Sequence, residues 1–556
     1  MCWVAEPLHL ILPGATLPEG GAQEVGNKAW NLMRMAAAGL SVPPGFVLPT
    51  SWCRAHRDER AGHGHDGGEA RGGTFGADGG RGYGALRQAL TTGIARLEAA
   101  TALGFGSGRR PLLVSVRSGA AVSMPGMLET VLDVGLTAHS VEGLIRLTGN
   151  PRLAWDCYRR FVQSFAEVVA LLPTEPFDAI LREAVEAEQA DTERELDFRA
   201  LRTVTRTMLD RFEALSGAPF PDDPTAQLLA ATAAVFRSWE APKSVSYRAL
   251  NGIRDDFGTA VTVQTMVFGN AGGASGSGVG FTRDPATGER ALYFDFCFNG
   301  QGEDVVAGRR RLADDDRLLR VLPAIHAELL QVRARLETLF GDAQDFEFTV
   351  QDGALYLLQT RTAKHTPLAA LRIAVEMVEE GLITQAEALL RLREVDLATV
   401  GRTRFALPLP APLAVATVAG PGVASGPVAL DAPAAERFAK AGTPPILVRR
   451  ETATSDIAGM AQAAGILTAT GSRTSHAAVV ARQLAKVCLI GCEALAIDLG
   501  RRTCRIGERL LAEGDPISLD GNAGAVYPGV LTVLTERPER ELAAVASWRR
   551  DARIPA

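Results

Sequence analysis

The sequence predicts an α/β multidomain protein, and three observations carry that prediction. The chain has 556 residues, more than one ordinary domain holds, so roughly two to four domains are expected. Strand-like runs alternate with amphipathic helical stretches along it. A Pro/Ala segment at 406–413 then separates a long front part from a compact α/β segment at about 414–530.

Composition narrows the classes. Apolar residues make up 47% and charged residues 22%, a globular balance with ample core. A net charge of −6 supplies no basic field, so nucleic acid is not an expected partner. Seven cysteines without a repeated CxxC pair point to free thiols in a reducing compartment. Met1 to Gly14 carries no Lys or Arg, so no secretory signal is expected. The most apolar long stretch, Ala406 to Ala419, is short and broken by Pro408, Pro410 and Pro412, so no membrane span is expected. The expectation is a soluble cytoplasmic protein.

Along the front part, residues 20–50 read as a Gly-rich turn (Glu24 to Lys28), a helix ending near Gly39 and a strand at Phe46 to Leu48. Residues 61–84 lack apolar periodicity and read as a Gly-rich insertion. His56, His63 and His65 lie in or near it, without the further ligands a metal site needs. Leu112 to Val116 reads as a buried strand ending at Arg117, and about 150–242 as a helical subdomain. Thr259 to Phe281 reads as strand around a loop from Gly269 to Gly280, and Arg317 to Phe340 as one long helix. Residues 368–394 read as a helical hairpin broken at Gly381, with Thr384 and Glu387 as a capping box. After Gly529 a charged helix or tail is expected.

Four constellations carry chemistry. The first is Gly471 to Arg482, with Thr474 or Ser475 as N-cap and a helix over Ala477 to Leu484. His476 then sits in the first turn, where unpaired N–H groups and the helix dipole disfavour imidazolium. The ring stays neutral and nucleophilic, and a phosphoryl group on it is welcomed. A lone histidine near a helix start is more often a plain capping residue, so the neighbouring sequence has to decide.

The second is Asp345-Phe346-Glu347-Phe348-Thr349-Val350, a strict alternation followed by the turn signal Asp352-Gly353 and the run Leu355 to Arg361. With three residues closing the hairpin, Asp345 faces Gln359 and is flanked by Glu347 and Arg361. Grouped carboxylate and amide oxygens suit Mg²⁺ bridging nucleotide phosphates; a solvated edge hairpin is the bland alternative. The third is Arg117 before Ser118-Gly119-Ala120, with Met124-Pro125-Gly126-Met127 beyond, a cation beside a small-residue loop. The fourth is the Gly/Ser run Gly272 to Gly278, whose N–H groups suit phosphates, although plain connectors share that composition.

Together these segments resemble the pyruvate, phosphate dikinase family of phosphoenolpyruvate-utilising enzymes, from about residue 20 to 530. Thr474-Ser475-His476-Ala477-Ala478-Val479-Val480-Ala481-Arg482 is similar to the family's phosphohistidine motif. Phe281-Thr282-Arg283-Asp284-Pro285 and Asn299 to Gly308 are further family-like runs. The resemblance implies an ATP-grasp nucleotide-binding domain with a helical insertion over 1–365. It implies a helical hairpin and Pro-rich linker at 366–413, a swivelling phosphohistidine domain at 414–530 and a tail at 531–556. It makes His476 the catalytic phosphocarrier and Lys28, Arg117, Ser277, Gly278, Glu347, Gln359 and Arg361 nucleotide-binding. Arg160 is implied to handle phosphate, and Asp345, Glu347 and Gln359 to hold Mg²⁺. Thr474 matches a position of regulatory phosphorylation in plant members.

Two departures stand out. The family's Gly-Gly-Lys-Gly is Gly26-Asn27-Lys28-Ala29 here, which can restrict backbone angles and close approach. The family's Gly-Met before Thr-Ser-His is Ser472-Arg473, adding a cation beside the carrier.

The implied activity is ATP-dependent phosphorylation of His476 with inorganic phosphate, giving AMP and pyrophosphate. Family members continue into a (β/α)₈ barrel of roughly 250 residues that binds phosphoenolpyruvate or pyruvate. Here 26 residues follow residue 530, so a barrel supplied by a separate protein is expected for the full reaction. Cys488, Cys492 and Cys504 lie inside the histidine segment and are not counterparts of a barrel acid. A phosphohistidine carrier or regulatory protein with another acceptor, and a phosphoenolpyruvate synthase-like enzyme using water, remain alternatives. The short 366–413 segment leaves no room for the acceptor domain of antibiotic-phosphorylating relatives. A homodimer stays open.

Overall fold

The computed structural model describes residues 8–62, 81–122, 124, 127–302, 315–471 and 476–552. Packing divides the chain into two units, 1–272 with 356–359, and 273–355 with 360–556.

The first unit is built on an antiparallel sheet of five strands. They are β1 (His9–Ile11), β2 (Gly45–Leu48), β3 (Val114–Gly119), β4 (Thr130–Val134) and β5 (Ala260–Thr265), in the order β1-β2-β5-β3-β4. Strand β3 runs on through Arg117 to Gly119, two residues past the expected end. Helix α1 (Gly21–Ala37) absorbs the expected turn: Glu24 to Lys28 lie inside it, and the helical path breaks only at Gly26. Helices α2 (Thr50–Gly62) and α3 (Arg81–Thr101) bracket the Gly-rich segment, whose residues 63–80, with His63 and His65, lie outside the described residues.

A run of helices follows: α4 (Ser140–Thr148), α5 (Pro151–Val168), α6 (Glu175–Ala187), α7 (Phe198–Ser216), α8 (Pro224–Ser238) and α9 (Pro242–Leu250). Its starts are written locally. Asn150 accepts from Leu153 N–H ahead of Pro151, Asp197 from Arg199 and Ala200, and Asp223 from Thr225 ahead of Pro224. Phe161, Phe165, Phe212 and Phe220 fill its centre, with Phe165 and Phe220 edge-on at 5.0 Å between centroids.

The second unit opens with a four-stranded sheet. It contains β6 (Gly276–Phe281), β7 (Tyr293–Phe298), β8 (Gln344–Gln351) and β9 (Ala354–Thr362), in the order β9-β8-β6-β7. Antiparallel register sets Gly278 between Phe296 and Phe348, and Gly280 between Phe294 and Phe346. A Cβ on Gly276, Gly278 or Gly280 would meet a phenylalanine ring atom at 2.2, 2.3 or 2.5 Å. The central strand therefore gives up side chains on one face so that rings from both neighbours lie over it. The Gly/Ser run is a strand from Gly276 onward, not a loop through Gly280. Its leading residues are pinned too: Asp352 N–H donates to Ser275 Oγ, Gly353 N–H to Ala274 O and Asn299 N–H to Ser275 O.

The expected long helix is two helices, α10 (Asp315–Val321) and α11 (Pro323–Phe340), because Pro323 supplies no N–H to continue the first. Helices α12 (Pro367–Glu379) and α13 (Gln385–Arg391) form the hairpin, and the Thr384–Glu387 capping box is present with both bonds. Arg283, fully buried, pins α11 and α12 together. It pairs with both oxygens of Glu337 at 3.0 Å, with Glu376 at 2.9 Å and with Glu380 at 2.8 Å. Burial opposes its charge, but Glu337 and Glu380 outweigh that and raise its pKa.

The histidine-bearing domain carries β10 (Arg402–Phe405), β11 (Ala414–Val415), β12 (Thr417–Gly420), β13 (Val423–Ala429), β14 (Ile446–Arg449), β15 (Gly465–Thr468) and β16 (Val487–Ile490). A three-stranded sheet, β17 (Leu495–Asp498), β18 (Thr503–Ile506) and β19 (Arg509–Ala512), comes next, then β20 (Pro516–Asp520), β21 (Ala525–Pro528) and β22 (Val533–Glu536). Its eight-stranded sheet runs β11-β21-β20-β13-β14-β15-β16-β12, with a parallel centre from β13 to β16. Helices α14 (Ala432–Lys440), α15 (Ile457–Gln462) and α16 (His476–Gln483) make the crossovers of that centre. The Pro-rich segment is held to this domain: Ala406 N–H donates to Thr532 O, Leu413 N–H to Val526 O, and Leu409 packs with Phe405 and Tyr527. After Gly529 the chain forms β22, which pairs with β10, and α17 (Glu539–Asp551), whose Val545 and Trp548 share a core with Leu371 and Met377 of α12. Among the described residues, no helix is long and apolar enough to cross a membrane.

Candidate nucleotide and phosphohistidine site

Lys28 and Arg117 are brought to one corner of the first unit by a backbone contact. Gly26 has φ 76° inside α1, and a Cβ there would sit 2.1 Å from Gly119 O. Asn27 N–H donates to Ala120 O at 3.0 Å. The first turns of α1 thus rest on the end of β3, with Lys28 exposed and Arg117 two residues before the contact. Asn27 and Ala29 are not among the residues with positive φ, so neither departure from glycine strains the backbone here. Arg117 Nη1 donates to Leu358 O at 3.4 Å.

The hairpin differs in register from the three-residue closure. Asp352 and Gly353 have φ 49° and 78°, the pattern of a two-residue type I′ turn. The buried residues of β9 are Leu355, Leu357 and then Thr360, so its alternation slips by one before Thr360. Leu357 N–H, on this edge strand, donates to Ser41 O. Arg361, rather than Gln359, therefore reaches Asp345, with Nε and Nη2 at 2.8 and 2.7 Å from Oδ2. Gln359 is half-buried.

Glu347 is next on the polar face of β8. It is half-buried, and its side chain makes no hydrogen bond or ion pair among the described residues. Ser277 lies on the same face and is 1% exposed, its hydroxyl 3.0 Å from that of Thr349. Gly278 is on the opposite, aromatic face. Sequence reasoning missed Asp295: register puts it in one row with Val279 and Glu347, and it is 5% exposed. Its signal was the alternation of Tyr293 to Phe298, the same pattern used for β8.

Oxygen donors of this kind fit Mg²⁺. Among the described residues no three His, Cys, Asp or Glu side chains gather into a ready-made cage. A metal taken by one or two carboxylates together with nucleotide phosphates suits that arrangement.

Arg160 lies in α5 of the helical subdomain. Its Nε pairs with Asp156 at 3.1 Å and its Nη2 with Glu193 at 3.3 Å. Arg159 joins the cluster at 2.8 Å from Asp156, an ion pair by distance without an aligned hydrogen bond at Nε or Nη2. Burial would push the Asp156 carboxyl up, but Arg159, Arg160 and Arg152 outweigh it and hold it below the usual carboxylate range.

His476 is the first residue of α16, in the crossover between β15 and β16. Ala477, Ala478 and Ala481 bury the inner face of α16 against Leu447, Ile466 and Ile490. Small side chains there let the helix lie close to the sheet. Ser472, Arg473, Thr474 and Ser475, and Glu303 to Gly308 of the Asn299 run, lie outside the described residues, as do Pro125 and Gly126.

Residues 84–321 match the pyruvate phosphate dikinase AMP/ATP-binding domain, and residues 442–524 match the mobile domain of PEP-utilising enzymes. The chain is 40% identical over 509 residues to pyruvate, phosphate dikinase of Clostridium symbiosum, covering 91% of this chain and 56% of that protein. It is 38% identical over 556 residues to the Rhizobium meliloti (strain 1021) enzyme of the same name, covering 96% and 59%. It is 40% identical over 532 residues to pyruvate, phosphate dikinase 2 of Zea mays, covering 95% and 58%. The chain thus spans a little over half the length of these curated relatives. With both domain matches in order and this identity along nearly its whole length, the chain belongs to the pyruvate, phosphate dikinase family.

Proposed function

We propose that this chain is a phosphotransferase that moves phosphate from ATP to its own His476. The observation that carries the reading is His476 opening the helix that connects the parallel strands β15 and β16, inside the segment matched to the mobile domain. Unpaired N–H groups at such a position favour a neutral imidazole and then a bound phosphoryl group.

In the proposed step the imidazole attacks the β-phosphorus and AMP leaves. The γ-phosphoryl group then passes to inorganic phosphate, which departs as pyrophosphate and leaves phospho-His476. Lys28 and Arg117 are proposed to bind nucleotide phosphates, and Gln359, Arg361, Ser277 and Gly278 are each proposed to make further nucleotide contacts. Mg²⁺ bound with the nucleotide would supply charge neutralisation, with Glu347 the carboxylate available to hold it. Arg160 remains a proposal for phosphate handling. The carbon substrate is left to a (β/α)₈ barrel, whichever chain carries it.

The test is incubation with ATP labelled at the β-phosphate, with and without inorganic phosphate. Acid-labile label on the protein, lost in His476→Ala, is the expected result. Label retained by that variant would reject the reading. AMP formation that ignores phosphate would favour the water-using alternative.

A further inference from the structure

The two carboxylates on the polar face of β8 do not have the same surroundings. Asp345 has a 10% exposed side chain, and a single oxygen of it takes two donors of Arg361 at 2.8 and 2.7 Å. The Arg361 side chain is 52% exposed, and its Nη1 has no hydrogen bond among the described residues. Two residues along the same face, Glu347 is half-buried and carries no such cation. The exposed edge of a guanidinium held at its other edge is a phosphate-binding device, because its donors form a rigid fork. A carboxylate already carrying that guanidinium is a poor ligand for Mg²⁺, since the two cations would crowd one group.

We propose that Asp345 is a positioning residue that aims Arg361 at nucleotide phosphate, and that Glu347 alone of this pair takes the metal. The assignment rests on the nucleotide-binding reading above and divides roles that the strand pattern had treated as equivalent. It requires no movement of Arg361 away from Asp345 when nucleotide binds.

The experiment uses the full chain, a non-hydrolysable ATP analogue and Mn²⁺ as a paramagnetic substitute for Mg²⁺. Retention of Mn²⁺ in the protein–nucleotide complex is read by electron paramagnetic resonance, and analogue affinity by calorimetry. Glu347→Gln is expected to weaken Mn²⁺ retention about tenfold or more, the loss of one charge-assisted ligand. Asp345→Asn and Asp345→Ala should leave it within about twofold, a difference well under one such ligand. Analogue affinity should fall about tenfold in Asp345→Ala and in Arg361→Gln, and no further in the double variant, because one interaction is removed either way. Melting curves keep misfolded variants out of the comparison, and either Asp345 variant suffices.

Mn²⁺ retention lost equally in the Asp345 and Glu347 variants would overturn the proposal. So would losses that multiply in the double variant, or retention unchanged in Glu347→Gln. A wild-type chain that binds no analogue would overturn the nucleotide reading itself, a result distinct from any pattern among the variants.

Discussion

Gly26 and Gly119 touch backbone to backbone, so tightly that a Cβ on Gly26 would lie 2.1 Å from Gly119 O. The demand is one-sided. A Cβ on Gly119 would meet nothing closer than Val25 O at 3.6 Å, an ordinary contact. Gly26 also has φ 76°, which an L side chain rarely adopts. Gly26→Ala should therefore cost about 2 kcal/mol or more and abolish nucleotide-analogue binding, while Gly119→Ala should stay within about 1 kcal/mol of wild type. Urea unfolding and calorimetry measure both; equal effects at the two sites would contradict the contact.

The glycine strand offers a compensation test. The three atoms nearest to a Cβ on Gly280 all belong to the Phe346 ring, the closest at 2.5 Å. Gly280→Ala should cost about 1–3 kcal/mol by overpacking, and Phe346→Leu in the same chain should recover much of it. Phe346→Leu alone should destabilise. A double variant no better than Gly280→Ala would show that backbone, not ring volume, sets the requirement.

The Asp156 cluster makes an acid-limb prediction. Its carboxyl lies below the usual range in the folded state, so its stabilisation is present above about pH 4, the unfolded value, and is lost as pH falls through the folded value. Asp156→Asn should flatten that part of the stability–pH curve and cost about 3 kcal/mol at pH 7, because Arg159 is left buried with less compensation. Denaturant midpoints from pH 7 down to pH 3 read both effects.

The joint of the histidine-bearing domain should lie outside the Pro-rich segment. Val400 belongs to the core that includes Val545 and Trp548, whereas Arg402 is already paired with Glu536. Thr403 is tied to Val423 N–H and to Asn522 Nδ2 at 3.0 and 2.9 Å. Among the described residues, the chain passes between these two cores at Gly401 and at Arg537-Pro538. Replacing Pro408, Pro410 and Pro412 by Ala should leave the spread of distances between spin labels at Glu379→Cys and Glu508→Cys unchanged. Gly401→Pro with Thr535→Ser should narrow it by removing a backbone torsion. The reverse pattern would place the joint in the Pro-rich segment.

The features legible in the sequence are those decided within a few residues. The Thr384–Glu387 capping box, the Asn150-Pro151 and Asp223-Pro224 helix starts, the Asp352-Gly353 turn and a helix at His476 follow from local hydrogen bonding and backbone preference. Alternation along β8 likewise placed Asp345 and Glu347 on one face and the phenylalanines on the other. What tertiary structure alone decided are the choices between partners far apart in the chain. Arg283 meets Glu337, Glu376 and Glu380 across 54, 93 and 97 residues, and a lone arginine in a family-like motif carries no sign of them. The Gly/Ser run has the composition of a flexible connector, and only neighbouring rings needing room on one face make it a strand. The slip in β9 gives Asp345 to Arg361 instead of Gln359, a shift that the alternation of the hairpin residues does not announce. Short-range preferences are written residue by residue, whereas register and close approach depend on every surface that meets at the contact.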